Sequence, residues 1–158
     1  MELYDITIDG VPYFSVNDEF VRNKYPDRAD EIILQSAKDK ASEEVNQTHA
    51  STLRIATGNA TIEERDTWSP KSAAAHAHTS GTATESQTAM LSVEAELSGR
   101  TIEDLVSVVI ERSSAYHLLV GQIAGIRSSL LLSISKATSV EDVEEIRRVI
   151  RDTFQPTQ

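Results

Sequence analysis

From Ile102 an apolar or aromatic side chain returns every seventh position, through Val109, Tyr116 and Ile123 to Leu130, with Leu105, Leu119 and Ile126 beside that line. Seven residues are two helical turns, so these side chains share one face of a single long helix. A helix with one apolar face must bury it against other elements, and this constrains the chain more than any other feature. Gly121 and Gly125 interrupt the pattern, and each costs about 1 kcal/mol against Ala in a helix interior. They admit a closely approaching helix or mark a kink.

Helix-start signals divide the rest. Asn17-Asp18 caps a short helix carrying Phe20 and Val21, closed by Pro26. A longer pattern runs from Asp27 to Thr57 and stops at Gly58-Asn59. Its face opens with Ile32, Ile33 and Leu34, then thins to Ala37, Ala41, Val45, Thr48, Thr52 and Ile55. So thin a seam predicts a slender arm that packs on another chain, either a second copy or a client. Thr61 with Glu64 forms a capping box, and Pro70 is expected to break or restart the helix that follows. TSGTATESQT reads as a loop, and Glu85–Leu97 as a helix presenting Met90, Val93 and Leu97. Thr101 with Asp104, and Ser139 with Asp142, cap the last two helices.

The first residues have a different period. Leu3 to Ile8 alternates in the two-residue manner of a strand, Asp9-Gly10 is a turn, and Val11–Val16 resumes. A hairpin alone is marginal in water. The fold class is therefore mainly α: an N-terminal β-hairpin segment (1–26), a long connecting helix (27–60) and a C-terminal helical domain (61–158). Aromatics are 5% of the chain, yet Tyr4, Tyr13, Phe14, Phe20 and Tyr25 fall within the first 25 residues. On so small an element they form either an adhesive surface or a mini-core with the next helix. Trp68, the only tryptophan, is read as a packing anchor, with a partner contact as the functional alternative.

Most chemistry is excluded by what the residues lack. Twenty-five acids against fifteen bases leave a net charge of −10, and no segment is net positive, which argues against nucleic acid and anionic membranes. The apolar runs, such as LLVG and LLL, read as too short to span a bilayer. There is no cysteine, hence no disulfide and no thiol nucleophile. His76 and His78 point about 200° apart on a helix, so no metal is expected there. The acids Glu63, Glu64 and Asp66 suit a helix N-terminus rather than acid–base work. No G-x-S-x-G, phosphate loop or dinucleotide fingerprint occurs, so neither an enzyme nor a cofactor is expected.

Two segments carry a resemblance. EERDTWSPK, from Glu63 to Lys71, is similar to the acidic-turn, Trp, Pro, Gln/Lys pattern of bacteriophage tail-fibre assembly proteins. AYHLLVGQIAGIRSSLLLSISKATSVEDVEEI, from Ala115 to Ile146, resembles the family's Ala-rich helix, Gly, Arg and terminal acidic-capped helix. Ala73-Ala74 depart from it where an acid is common. The resemblance implies a tail-fibre chaperone acting in the host cytoplasm, in some members retained on the virion. Its partner would be the C-terminal tip of the fibre, which it helps to fold and trimerise, with self-association as a further partner state. The aromatic clustering and the lone tryptophan, rather than the resemblance, nominate Tyr4, Tyr13, Phe14, Phe20, Tyr25 and Trp68 as the contact residues. The alternative class is a structural tail or fibre component, and a small hydrolase is a third without a supporting motif. The hairpin would offer strands or an aromatic face to a β-rich client.

Overall fold

The computed structural model describes residues 3–154. They form a two-stranded antiparallel hairpin followed by six helices, the mainly α architecture expected. β1 (Tyr4–Ile8) and β2 (Val11–Val16) meet at Asp9-Gly10, whose φ values of 52° and 81° give the doubly left-handed turn that matches strand twist. Tyr4, Ile6, Ile8 and Tyr13 turn inward, and Leu3, Asp5, Thr7 and Phe14 are exposed. Between the pairs Ile6–Tyr13 and Tyr4–Val16 the register slips, so Phe14 and Ser15 oppose Asp5 alone. Ser15 takes φ 52° there, and its N–H donates to Asp5 Oδ1 at 2.8 Å.

The helices are α1 (Asp18–Lys24), α2 (Ala29–Ala56), α3 (Ile62–Thr79), α4 (Glu85–Leu97), α5 (Ile102–Lys136) and α6 (Val140–Phe154). Their starts lie where side chains accept first-turn amides. Asn17 accepts from Phe20 N, Thr61 from Glu64 N, Thr101 from Asp104 N and Ser139 from Asp142 N. Thr84 and Gln87 complete a reciprocal capping box for α4. α2 ends as Gly58 and Asn59 turn left-handed at φ 60° and 59°.

The chain divides into two compact units. One contains the hairpin, α1, α2 to Ala50 and the chain from Gly125 onward; the other is Ser51–Ala124. In the first, Ala41 and Val45 of α2 are buried with Leu130 and Ile134 of α5 and Val143 and Ile150 of α6. This corrects the expectation that the arm packs on another chain. The seam is small because its partners are large: Ala37 and Ala41 admit the Leu and Ile side chains of α5 and α6 from the same chain. A second core patch joins Ile8 of β1 and Val21 of α1 to Ala29, Ile32 and Ile33 of α2, with Val140 of α6 against it.

In the other unit Ala74 and Ala75 of α3, Leu91 and Ala95 of α4, and Leu105 and Val106 of α5 form the core. The hydroxyls of Ser72 and Ser113 pair at 2.8 Å, and Lys71 binds Glu94 at 2.7 Å. Pro70 does not break α3, contrary to expectation. It lies on an exposed face, so the Asp66 carbonyl that loses its N–H partner is open to solvent.

Along α5, Leu105, Ile123 and Leu130 are buried as the stripe predicts, whereas Leu119 and Ile126 are exposed. Nothing lies within 4 Å of where a Cβ would stand at Gly121 or Gly125, so neither admits a closely packed helix. Judging by short apolar runs also missed a property of this helix: by length and composition alone it is apolar enough to cross a membrane. Interleaved Ser, Gly and Gln break its runs without adding charge.

Candidate functional site: the hairpin and the groove beside it

The structure separates the five N-terminal aromatics into two kinds. Tyr13 gathers Phe20 at 5.4 Å and Tyr25 at 6.4 Å between ring centres, and the Tyr13 and Tyr25 hydroxyls pair at 2.9 Å. Lys24 Nζ stands 4.7 Å from the Tyr13 ring centre, a cation–π contact. The bond with Tyr25, aided by the Lys24 ammonium, lowers the Tyr13 hydroxyl from its ordinary pKa; the same bond raises that of Tyr25. Tyr4 donates to Asp18 Oδ1 at 2.8 Å, and burial and then that carboxylate raise its pKa. These four half-buried aromatics close the small core over Ile8 and Val21. Phe14 is the exception: it lies on the outward sheet face, 71% exposed. Trp68 is elsewhere, in the other unit, packed edge-on against Tyr116 with ring centres 5.2 Å apart.

Beside β1 runs a groove of about 1210 Å³, larger than the ~300–1,000 Å³ usual for small-molecule sites. One wall is the unbroken run Leu3–Asp9, while no residue of β2 lines it. The other walls come from α1, from the first half of α2 and from Val140, Glu144 and Arg147 of α6. Apolar lining comes from Ile32, Ile33, Ala37 and Val140. Eight acidic residues line it, among them Glu31, Asp39 and Glu43, against Arg22, Arg28, Lys40 and Arg147. Part of that charge is internally paired: Arg28 binds Asp9 at 3.1 Å, and Arg147 binds both Glu44 and Glu144. The net charge of the lining is negative.

A smaller recess lies among His78, Thr79, Glu103, Val106, Ser107, Ile110 and Glu111 in the other unit. Among the described residues no group of three His, Cys, Asp or Glu side chains is placed to hold a metal. Glu63 is exposed at the start of α3, its carboxyl held below the ordinary range by a first-turn amide and then by Thr61. That arrangement is a helix cap.

Sequence reasoning located the hairpin and its aromatics but not the groove. One signal was present. Pro12 is aligned opposite Thr7, which fixes the strand register and hence which backbone groups point away from β2. No protein-family model, curated protein or solved structure matches this chain.

Proposed function

We propose that this chain is a non-catalytic binding protein that engages the tip of a tail fibre during assembly, with the hairpin end as its contact surface. The observation that carries the binding role is Phe14. The hairpin and α1 gather Tyr13, Phe20 and Tyr25 into a half-buried cluster and leave this one ring in solvent. An exposed ring of this kind contributes little to the fold and much to an interface. Tail fibre as the client class rests on the similarity of the Trp68-Ser-Pro segment and the α5–α6 sequence to fibre assembly proteins. The acidic surface and the capped first-turn carboxylates accord with binding rather than catalysis.

The test is capture of a tagged tail-fibre tip by the wild type and by Phe14→Ser. The wild type should co-purify and the variant should lose at least tenfold in affinity with its melting temperature unchanged. Equal capture by both would move the contact elsewhere; no capture by the wild type would end the tail-fibre reading.

A further inference from the structure

We propose that the free edge of β1 and the groove beside it form a peptide-binding site that takes an extended, basic segment by strand addition. The inference rests on the reading of this unit as the client-binding end and identifies what that end binds. It starts from the register. Asp9-Gly10 is a two-residue turn, so the flanking pair Ile8–Val11 exchanges hydrogen bonds, Thr7–Pro12 does not, and Ile6–Tyr13 does again. Pro12 has no N–H to give and occupies the one kind of position that needs none. By the same alternation the N–H and C=O of Thr7 point away from β2, onto the side where the groove runs.

The two edges of the hairpin are unlike. The β2 edge is blunted, because Pro12 offers no outward donor and the Ser15 N–H is already held by Asp5. The β1 edge carries no proline, and no third strand pairs with it among the described residues. An edge strand with unpaired donors and acceptors is a template for another strand. Here the template opens into a trough rather than onto a flat surface.

The lining selects the occupant. An added strand turns alternate side chains to opposite faces. One set would meet the accessible apolar lining at Leu3, Ala37 and Val140, and the other would meet the acidic residues. Eight acids against four bases favour Lys or Arg at those positions. The occupant is thus a strand of alternating apolar and basic residues.

The experiment uses the full chain, labelled for amide detection, and an end-blocked seven-residue peptide alternating Val and Lys, with a Val/Glu peptide as control. The Val/Lys peptide should slow exchange of the Thr7 amide at least tenfold and bind at least tenfold tighter than the control. Thr7→Pro removes the outward N–H without removing a ladder bond, so it should weaken the Val/Lys peptide at least tenfold and leave the circular dichroism unchanged. Should that variant misfold, the double reversal Glu31→Lys with Asp39→Lys, which leaves as many bases as acids in the lining, should abolish the preference for the Val/Lys peptide. Unchanged binding by Thr7→Pro, an unprotected Thr7 amide, equal binding of both peptides by the wild type or a preference kept by the double reversal would overturn the proposal. So would a concentration-dependent dimer that Thr7→Pro abolishes, which would give the edge to a second copy. A fibre tip captured equally by wild type and Thr7→Pro, but lost with Phe14→Ser, would overturn the groove alone. Peptide binding as described with no fibre captured would overturn the tail-fibre reading alone.

Discussion

Arg147 joins two carboxylates, one on α2 and one on its own helix. Its Nε donates to Glu44 Oε2 at 2.9 Å, Nη2 donates to the other oxygen of the same carboxylate, and Nη1 donates to Glu144 at 2.6 Å. The fork ties α6 to α2, and the bonds to Glu44 lead in raising its pKa above the ordinary arginine value. Its side chain is 14% exposed, so truncation strands Glu44 in a half-buried setting. Arg147→Ala should lower stability by about 1–3 kcal/mol, read as a shifted urea midpoint at unchanged slope. Arg147→Lys should recover little of it, because a lysine cannot make the paired fork. A midpoint unmoved by Arg147→Ala would show the fork to be ornamental. Asp142 gives a pH-dependent case. It accepts from Thr138 N at 2.9 Å, Thr138 Oγ1 at 3.0 Å and Ser139 N at 3.0 Å, and these bonds, the Thr138 amide first, hold its carboxyl below the ordinary range. A depressed carboxyl stabilises the fold above its unfolded pKa of about 3.9 and loses that contribution as pH falls through the lower folded value. The melting-temperature gap between wild type and Asp142→Asn should therefore be full near pH 5 and should close as pH falls below 4. A gap that is constant with pH would refute the assignment.

At the scale of elements, helix starts were legible because each is a local bargain between one side chain and one amide. Asn17, Thr61, Thr101 and Ser139 are read correctly from spacing alone, and the structure places the bond at each. The Thr84–Gln87 box was hidden because it stands inside a polar stretch where nothing apolar marks a boundary. The arm was half legible. Its period named the buried face from Ile32 to Val45 but failed at Ile55, which is 70% exposed, and Ala41 and Val45 do not reveal what covers them, since the large side chains come from α5 and α6, far along the chain. Amides from Ala41 to Val45 should exchange slowly in a verified monomer; fast exchange there would restore the client-packed arm. Pro70 was misread because proline usually ends a helix, and here the exposed face accepts the missing bond at a cost in stability. Proline costs up to about 3 kcal/mol against alanine inside a helix, so Pro70→Ala should raise stability by about 1–3 kcal/mol. No gain, or a loss, would mean that the proline ring makes a contact the helix needs. The candidate site was legible only as composition. The aromatic cluster announced the hairpin, and alternation sets Tyr13 and Phe14 on opposite faces, but the sequence does not show which face the helices cover.

At the scale of the whole molecule, the two units divide the work unevenly. Ser51–Ala124 buries a core of Ala, Leu and Val and holds Trp68 on Tyr116, where it anchors a helix as the packing reading expects. The hairpin's unit carries the exposed Phe14 and the acidic groove. Removing residues 1–26 is a poor way to test that unit, since it would strip Ile8 and Val21 from Ile32 and Ile33 and expose the core. Point substitutions separate contact from folding. The proposed client role is read most directly in the yield of soluble, heat-resistant fibre-tip trimers. The tip is expressed alone, with the wild-type chain and with Phe14→Ser. Trimers should form with the wild type, and aggregates or monomers both alone and with the variant. Native trimers formed at full yield by the tip alone would contradict that role.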